Sequence, residues 1–318
     1  MAEESEHSDD LKQGRVRKSL LEQLADYGDQ PTESRESMIR KDLCAMKTDS
    51  CPLCKGEGLR QGRRGIYASA ELCECILACK VCLGKNLDVS SGVARSCKSP
   101  SPLKRSGLYN KACIPSRYTG ARLENFANKT GNCQERARDV SRWVDNLARD
   151  KKIHNYPGFI LSGPVGCGKT YLLAAAAKRL AANGISVRFV DFFQLISEIK
   201  TSLMTKEAMA SDFLKVFMDV DVLAIDELGK GRRTDFEQTV LDQLVMGRYN
   251  QEKITIASTN CTLGKTYQKD ADQLGEGRFG KTDIPLIQAV GERIYSRLEE
   301  TTEFLAMDGL DFRSVQSR

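Results

Sequence analysis

From about residue 114 onward, the chain alternates between short apolar runs and stretches of helical periodicity. Three apolar runs predict strands buried on both faces, and they cover residues 158–162, 220–226 and 254–259. A helical pattern follows the first run at residues 171–180. Apolar residues also recur at helical spacing at Val140, Trp143, Val144 and Leu147, which predicts a helix packed on a core. Alternating strands and helices predict an α/β domain over residues 114–318.

The segments that precede this domain differ from it in composition. Residues 1–48 are rich in charge and poor in aromatic residues, which predicts an arm that is disordered or forms a short helix. Residues 49–113 hold most of the cysteines and end in a basic link with Ser and Pro. The sequence therefore predicts three parts, with boundaries at 1–48, 49–113 and 114–318.

The composition narrows the class of protein. The 318 residues are 41% hydrophobic and 29% charged with a net charge of +5, which is typical of a globular protein and permits an anionic partner. No apolar run approaches the roughly 20 residues of a membrane-spanning helix, and the acidic start lacks the apolar core of a secretory signal. We therefore expect a cytoplasmic protein with no membrane partner, whose 12 cysteines are better explained by metal than by disulfides.

The loop between the first predicted strand and its helix matches the phosphate-binding pattern G-x-x-x-x-G-K-[ST] at every fixed position. Its glycines let backbone N–H groups face phosphates at the positive end of the helix. Lys169 is expected to reach the β- and γ-phosphates, and the Thr170 hydroxyl to ligate Mg²⁺. The pattern predicts binding of a nucleoside triphosphate with Mg²⁺, and the alternative is a chance Gly-rich turn. The predicted nucleotide-binding residues are Gly163, Pro164, Val165, Gly166, Cys167, Gly168, Lys169, Thr170 and Tyr171.

Polar side chains follow the other two predicted strands. In an ATPase, Asp226 would help to hold Mg²⁺ and Glu227 would polarise the attacking water. The alternative is an ordinary strand with an acidic end, and the preceding phosphate loop favours the first interpretation. Asn260 follows the third strand, at the edge where ligands bind such sheets, although an Asn that caps the turn is locally as good an explanation.

Two arginines lie four residues apart in a segment of helical pattern. Arg293 and Arg297 therefore share one face of the helix. One interpretation is an arginine offered to the γ-phosphate of a neighbouring subunit, where it would stabilise transition-state charge. The other is a pair of surface arginines that bridge Glu292, Glu299 or Glu300. The spacing alone does not decide between them.

The cysteines of residues 49–113 are spaced like metal ligands. Cys51 and Cys54 form a C-x-x-C knuckle followed by glycines, and Cys73 and Cys75 would complete a four-thiolate site. Four thiolates in tetrahedral array suit Zn²⁺, which binds them at about 2.3 Å and supplies folding energy to a small module. A closed site of this kind is structural rather than catalytic, because no coordination position stays open.

A second, partial cysteine unit follows the first. Its candidate zinc ligands are Cys79, Cys82 and Cys97. Ser99 stands where the last thiol is expected, so Cys113 or Cys44 would have to supply a ligand, and pairing across the two units is equally open. Reduced structural cysteines or a redox pair are the alternatives to metal. Ordinary buried or loop residues are predicted at Cys133, Cys167 and Cys261.

The sequence gives only a weak indication of contact with nucleic acid. Lys230, Arg232 and Arg233 follow the acidic pair, and Lys200 and Lys206 flank another helical segment. Such residues can contact the phosphates of single-stranded DNA. A solvated basic loop is an equally good explanation at this net charge.

Residues from about 114 to 318 resemble the DnaC/DnaI-type helicase loaders and the IstB-type transposition helpers, a branch of the AAA+ ATPases. The resemblance is carried by the phosphate loop and by residues 114–118, 123–126, 184–196, 225–229, 258–260 and 304–313. The segment from about 263 to 285 looks longer than in that family. The first cysteine knuckle also resembles the C-x-x-C-x-G-x-G phrase of DnaJ-like modules.

The resemblance implies a fold and a set of roles. The fold is an AAA+ P-loop core, a five-stranded parallel sheet with helices on both faces. Asp226 would be the acid on the Mg²⁺ side, Glu227 the catalytic base and Asn260 the sensor 1 residue. Arg297 would be the arginine finger, with Arg293 as second choice, so that active sites form between subunits and the protein associates with itself.

These expectations lead to one function and two alternatives. The first is an ATP-hydrolysing AAA+ protein that loads or remodels the replicative DNA helicase on single-stranded DNA, with the arm and the zinc module as the docking part. The second is an IstB-type helper that serves a transposase. The third is a metal-stabilised binding module whose nucleotide site switches with little turnover, and the intact Lys169, Asp226 and Glu227 argue against it.

Overall fold

The computed structural model describes residues 45–46, 51–54, 57–74, 77–78, 87–89, 91–96, 102–205, 210–263 and 284–312. All of them belong to one structural unit, Thr32–Arg318. Of the predicted arm, only Ala45 and Met46 are among the described residues, and of the segment 263–285 only its ends are.

The elements follow the predicted alternation. The strands are β1 (Ala45–Met46), β2 (Leu59–Arg64), β3 (Tyr67–Leu72), β4 (Leu77–Ala78), β5 (Leu87–Asp88), β6 (Arg95–Ser96), β7 (Gly158–Ser162), β8 (Val187–Asp191), β9 (Val222–Asp226), β10 (Ile254–Thr259) and β11 (Thr302–Ala306). The helices are α1 (Pro102–Lys111), α2 (Cys133–Asp150), α3 (Lys169–Ala182), α4 (Phe192–Thr205), α5 (Ala210–Asp219), α6 (Asp235–Asn250), α7 (Leu286–Val290) and α8 (Glu292–Thr301). Within the described part of the chain, no helix has the length and apolar character needed to cross a lipid bilayer.

Five strands form one parallel sheet in the order β11–β7–β10–β9–β8. The three strands predicted from apolar runs are confirmed as β7, β9 and β10. All their positions are buried, which requires cover on both faces of the sheet. Because β10 lies between β7 and β9, the carboxyl ends of these three strands lie side by side.

A continuous hydrophobic cluster joins the sheet to α2 and α3. The predicted core-packing helix is confirmed as α2, in which Val140, Val144 and Leu147 are fully buried. Trp143 beside them meets Phe159 of β7 edge-on, with ring centroids 5.0 Å apart. The tryptophan therefore serves packing.

The hairpin β2–β3 and helix α1 pack on the same core. Leu59 and Ala68 of the hairpin belong to the hydrophobic cluster. The N–H of Ala68 donates to the carbonyl of Ile114 at 2.7 Å, and the N–H of Phe189 in β8 donates to that of Ala112 at 2.8 Å. The core thus extends across residues 113 and 114, and the division into domains at that point stays a prediction.

A buried arginine ties the amino-terminal ends of two central strands. Arg248 of α6 is 1% exposed, and its guanidinium donates to oxygen atoms around the starts of β9 and β10. These acceptors are the carbonyl oxygens of Phe217 (2.7 Å), Met218 (3.2 Å), Val220 (2.9 Å), Asp221 (3.2 Å) and Ile254 and the hydroxyl of Thr255 (3.2 Å). The guanidinium of Arg248 therefore links the starts of β9 and β10 at the edge opposite the predicted site.

Candidate functional site

The predicted site residues meet at one edge of the sheet. β7 runs into the phosphate loop, β9 ends at Asp226, and Asn260 follows β10 as an exposed residue. Because the three strands are parallel neighbours, their carboxyl ends form a single edge. The structure therefore brings the loop, the acidic pair and Asn260 to the same edge of the sheet, the one formed by the carboxyl ends of its strands.

The glycines of the loop allow a backbone that other residues rarely adopt. Gly168, which precedes α3, has φ 108°, and a Cβ there would lie 2.6 Å from the ring of Phe126. Gly163 has φ 155°, and a Cβ there would lie 2.2 Å from the carbonyl oxygen of Met307. The chain around Phe126, which precedes the loop, and around Met307, which follows it, therefore approaches the loop more closely than a side chain at either glycine would permit.

The ammonium of Lys169 is held within this loop. Its Nζ donates to the carbonyl oxygens of Gly163 at 2.7 Å and Pro164 at 2.8 Å. Burial lowers the pKa of Lys169, and the Cys167 thiol and the Asp226 carboxylate oppose that shift. A polyphosphate in the loop would supply the negative charge that these carbonyl partners lack.

Asp226 lies beside the end of the loop. The Thr170 hydroxyl donates to Asp226 Oδ1 at 2.9 Å, and the Ser258 hydroxyl donates to the same oxygen. Burial raises the pKa of Asp226, and both hydroxyl groups act in the opposite direction. A hydroxyl next to a carboxylate fits the oxygen ligands that Mg²⁺ takes in nucleotide sites.

Glu227 has an unusual backbone conformation. Its φ is 56°, in the left-handed region that few residues other than glycine adopt. Its N–H donates to Ser258 Oγ at 3.2 Å, and its carboxylate pairs with Lys230. Strained backbone of this kind is concentrated at functional sites.

Ser258 is a site residue that the sequence prediction missed. It occupies β10 next to the acidic end of β9, where its hydroxyl contacts both Asp226 and Glu227. The available signal was its position in the apolar run 254–259, beside the end of the strand that Asn260 follows.

The segments before and after the loop are fastened to it. Asn128 donates through Nδ2 to the carbonyl oxygens of Cys167 and Leu310, both at 3.1 Å. The N–H of Phe312 donates to the carbonyl of Gly166 at 3.1 Å. The residues that follow β11 therefore lie against the phosphate loop.

The two candidate arginines of α8 have partners within the chain. Arg297 donates to Glu300 at 3.0 Å and lies over the ring of Tyr249, 4.5 Å from its centroid. Arg293 is 72% exposed and lies 3.6 Å from Asp242. The Arg297–Glu300 pair is one that the surface-arginine alternative named, and the role of either residue as an arginine finger stays a prediction.

The basic residues near the site have different surroundings. Lys230 pairs with Glu227, whereas Arg232 and Arg233 are exposed. Lys200 lies over the ring of Phe236, 5.3 Å from its centroid. Lys206, the remaining predicted contact, lies outside the described residues.

Three of the predicted zinc ligands lie together. The Sγ atoms of Cys51, Cys54 and Cys73 are all within 4.8 Å of one another, and Cys51 and Cys73 are 3.7 Å apart. Tetrahedral bonds of about 2.3 Å place thiolates roughly 3.8 Å apart, so this spacing fits Zn²⁺. The hairpin β2–β3 returns Cys73 to the knuckle, and the N–H of Cys73 donates to the carbonyl of Gly58 at 3.0 Å.

The remaining cysteines differ in their surroundings, and several of them lie outside the described residues. The candidate ligands outside the described residues are Cys44, Cys75, Cys79, Cys82 and Cys97. Cys113 is buried beside Arg188, and burial raises its pKa. Cys133 and Cys167 are fully buried and Cys261 partly buried, as predicted for ordinary structural cysteines.

Sequence comparison identifies relatives of the α/β part. The family model described as IstB-like ATP binding protein matches residues 126–274. The replicative helicase loader DnaC of Escherichia coli (strain K12) is 29% identical over 161 residues, which are 51% of this chain and 64% of that protein. DnaC of Buchnera aphidicola subsp. Acyrthosiphon pisum is 32% identical over 158 residues, which are 48% of this chain and 61% of that protein. The matches therefore span less than two thirds of these curated relatives.

A crystal structure of the DnaC helicase loader aligns with 60% of this chain and 98% of its own, with 26% identity and a TM-score of 0.48. The strand order, the phosphate loop after β7 and the acidic end of β9 together form a P-loop core. Residues 126–274 are thus similar to the IstB-like ATP-binding proteins, and about half of the chain is similar in sequence to the DnaC-type helicase loaders.

Proposed function

We propose that this protein hydrolyses ATP and uses the cycle to load or remodel the replicative DNA helicase on single-stranded DNA. The observation that carries the ATPase proposal is the contact of Thr170 with Asp226, 2.9 Å apart, at the sheet edge that also bears Lys169 and Glu227. The homology to proteins named as helicase loaders supports the choice of partner.

The proposed binding step uses the phosphate loop. Backbone N–H groups of residues 165–168 and of the start of α3 would face the phosphates of ATP, as in other loops of this pattern. Lys169 would exchange its carbonyl partners for β- and γ-phosphate oxygens. Thr170 and Asp226 would hold Mg²⁺, which neutralises charge on the phosphates when bound.

The proposed hydrolysis step uses Glu227 as the base that orients and polarises water. Ser258 fixes the backbone N–H of Glu227, and Lys230 pairs with its carboxylate. These two contacts would hold the backbone and the carboxylate of Glu227 in position for the attacking water.

Steady-state ATP hydrolysis and ATP binding test this assignment together. We expect Glu227→Gln to retain ATP binding and to lose at least about 100-fold in kcat, and Lys169→Ala to lose binding. Glu252→Gln is the control, because Glu252 has a similar positive φ of 51° and its carboxylate also lies beside a basic side chain, that of His154. Normal hydrolysis by Glu227→Gln would show that another group is the base.

Co-purification with the hexameric replicative helicase, with and without ATP, tests the partner. Nucleotide-sensitive binding that the Lys169→Ala variant lacks supports the loader. Intact ATPase activity without binding favours the second candidate, an IstB-type transposition helper, which the family match to residues 126–274 supports. Nucleotide binding without turnover would instead indicate the metal-stabilised switch.

The contact with single-stranded DNA is proposed through the exposed Arg232 and Arg233. Binding to phosphates is expected to weaken as salt rises. Changing both arginines to Gln should reduce the affinity and the steepness of its salt dependence, whereas Arg142→Gln on the exposed face of α2 should change neither.

Self-association through an arginine finger is proposed for Arg297, with Arg293 as second choice. The finger variant should keep ATP binding yet lose hydrolysis, and wild-type subunits added to it should restore part of the rate. If neither Arg297→Ala nor Arg293→Ala lowers the rate, the finger lies elsewhere. The high exposure of Arg293 makes it the more accessible of the two.

A structural zinc ion is proposed at Cys51, Cys54 and Cys73, with Cys75 as the fourth ligand. The proximity of the three thiols and the burial of two of them support this assignment. The three cysteines flank the hairpin β2–β3, which packs on the core, and this position suits a structural role.

A further inference from the structure

A polar cavity lies between the hairpin β2–β3 and helix α3. Its volume is about 410 Å³, which is within the range of small-molecule sites. Lys178 lines it and follows Lys169 in the same helix by nine residues, or about 13 Å along the axis. The cavity is therefore separate from the phosphate loop.

Basic side chains outnumber acidic ones around this cavity, five to three. Two of the basic residues form ion pairs with all three acidic residues. Arg122 pairs with Glu57 at 3.1 Å, and Arg179 pairs with Glu124 and with Asp145, the latter at 2.6 Å. The remaining basic residues are Arg105, Arg149 and Lys178.

Two of these remaining cations are buried. Arg105 is 4% exposed, and its Nη1 donates to the carbonyl oxygens of Glu57 at 3.0 Å and Ala182 at 3.1 Å. Among the described residues, Arg105 Nε has no hydrogen-bond partner. Lys178 is 3% exposed, and its ammonium also donates to backbone carbonyl oxygens. Because the hydrogen-bond partners of these buried cations are neutral, an anion bound in the cavity would be stabilised by their charge.

We propose that this cavity binds a small phosphorylated ligand, either inorganic phosphate or the phosphate group of a nucleotide. Five basic and three acidic side chains leave a surplus of two positive charges. A phosphate monoester carries about −1.5 to −2 at pH 7, which matches that surplus. Arginine and lysine are the usual donors to phosphate oxygens. The ligand would contact the hairpin β2–β3 and α3 at the same time.

Isothermal titration of the full chain carrying Lys169→Ala tests this site, because that change removes phosphate binding at the loop. The probes are inorganic phosphate, AMP and adenosine. We expect phosphate or AMP to bind, and adenosine to bind at least tenfold more weakly. Lys178→Met should weaken binding at least tenfold, whereas Lys215→Met, on the exposed face of α5, should not.

A second pair of variants tests ligand binding independently, in case Lys178→Met fails to fold. Ala148 also lines the cavity and is partly exposed. Ala148→Glu and Ala148→Gln add nearly the same volume, so only the carboxylate of Glu repels the ligand. We expect Ala148→Glu to bind at least tenfold more weakly than Ala148→Gln. Equal affinity of these two variants, equal binding of adenosine and AMP, or no binding by any probe would overturn the proposal.

Discussion

The hydroxyl of Ser258 donates to the carboxylate of Asp226 and accepts from the N–H of Glu227. One side chain of β10 thereby sets the position of both acidic residues at the end of β9. The bond to Asp226 also lowers a pKa that burial raises. Ser258 is therefore a positioning residue for both carboxylates.

Replacing Ser258 with Ala should lower kcat roughly 10- to 100-fold, since a hydrogen bond to a charged group contributes about 1.5–3 kcal/mol. The pKa of Asp226 should rise, so the acid limb of the pH–rate profile should move to higher pH. Ser186→Ala is the matched control, because Ser186 makes a similar bond to Asp221, 2.7 Å long, at the other end of the sheet. An unchanged acid limb in Ser258→Ala would contradict this role.

Gly168→Ala should destabilise the fold by roughly 1–3 kcal/mol, because it places a Cβ at φ 108° and against the ring of Phe126. Gly107→Ala in α1 is the control, since a Cβ there meets no atom within 4 Å. That change should stabilise the protein by about 0.5–1 kcal/mol. Urea unfolding of both variants measures the difference, and equal stabilities would contradict the crowding.

Arg248→Met should destabilise the fold by roughly 3 kcal/mol or more, because several buried carbonyl oxygens lose their donor. Arg142→Met, at a 72% exposed position, should change the stability by less than about 0.5 kcal/mol. Thermal and urea unfolding provide the comparison. A small effect at Arg248 would mean that water replaces the guanidinium.

The buried Lys178 predicts a pH dependence of stability. Burial and the nearby Arg122 lower its pKa from 10.5 to about 8, although Glu57 opposes the shift. Between these values the unfolded chain binds more protons than the folded one, so stability should rise with pH. Lys178→Met should remove about 2 kcal/mol of the rise between about pH 7.5 and 9.5. Parallel curves for the wild type and the variant would refute it.

The wild-type protein should contain zinc when purified without chelators, and Cys54→Ser should lose it. Metal analysis by mass spectrometry gives the amount per chain. Cys261→Ser is the control, because Cys261 lies outside the cluster of three thiols. The same zinc content in both variants would exclude Cys54 as a ligand.

Local patterns were sufficient to predict much of the fold and part of the site. The strands that end at Ser162, Asp226 and Thr259 stand out because they are short, apolar and buried on both faces. The contacts of Ser258 and Arg248 depend on which strands become neighbours, and no local pattern contains that information. Likewise, Leu59 and Ala68 belong to the main hydrophobic core, although the sequence predicted that residues 49–113 form a separate part.

The contacts of residues 302–312 have a consequence for folding during synthesis. β7, which leads into the phosphate loop, pairs on one side with β11, and Phe312 bonds to the loop itself. The ribosome makes residue 312 about 140 residues after the loop, at a rate of roughly 5–20 residues per second. A nascent chain would therefore hold an incomplete nucleotide site for roughly 7 to 28 seconds, until these late residues are made.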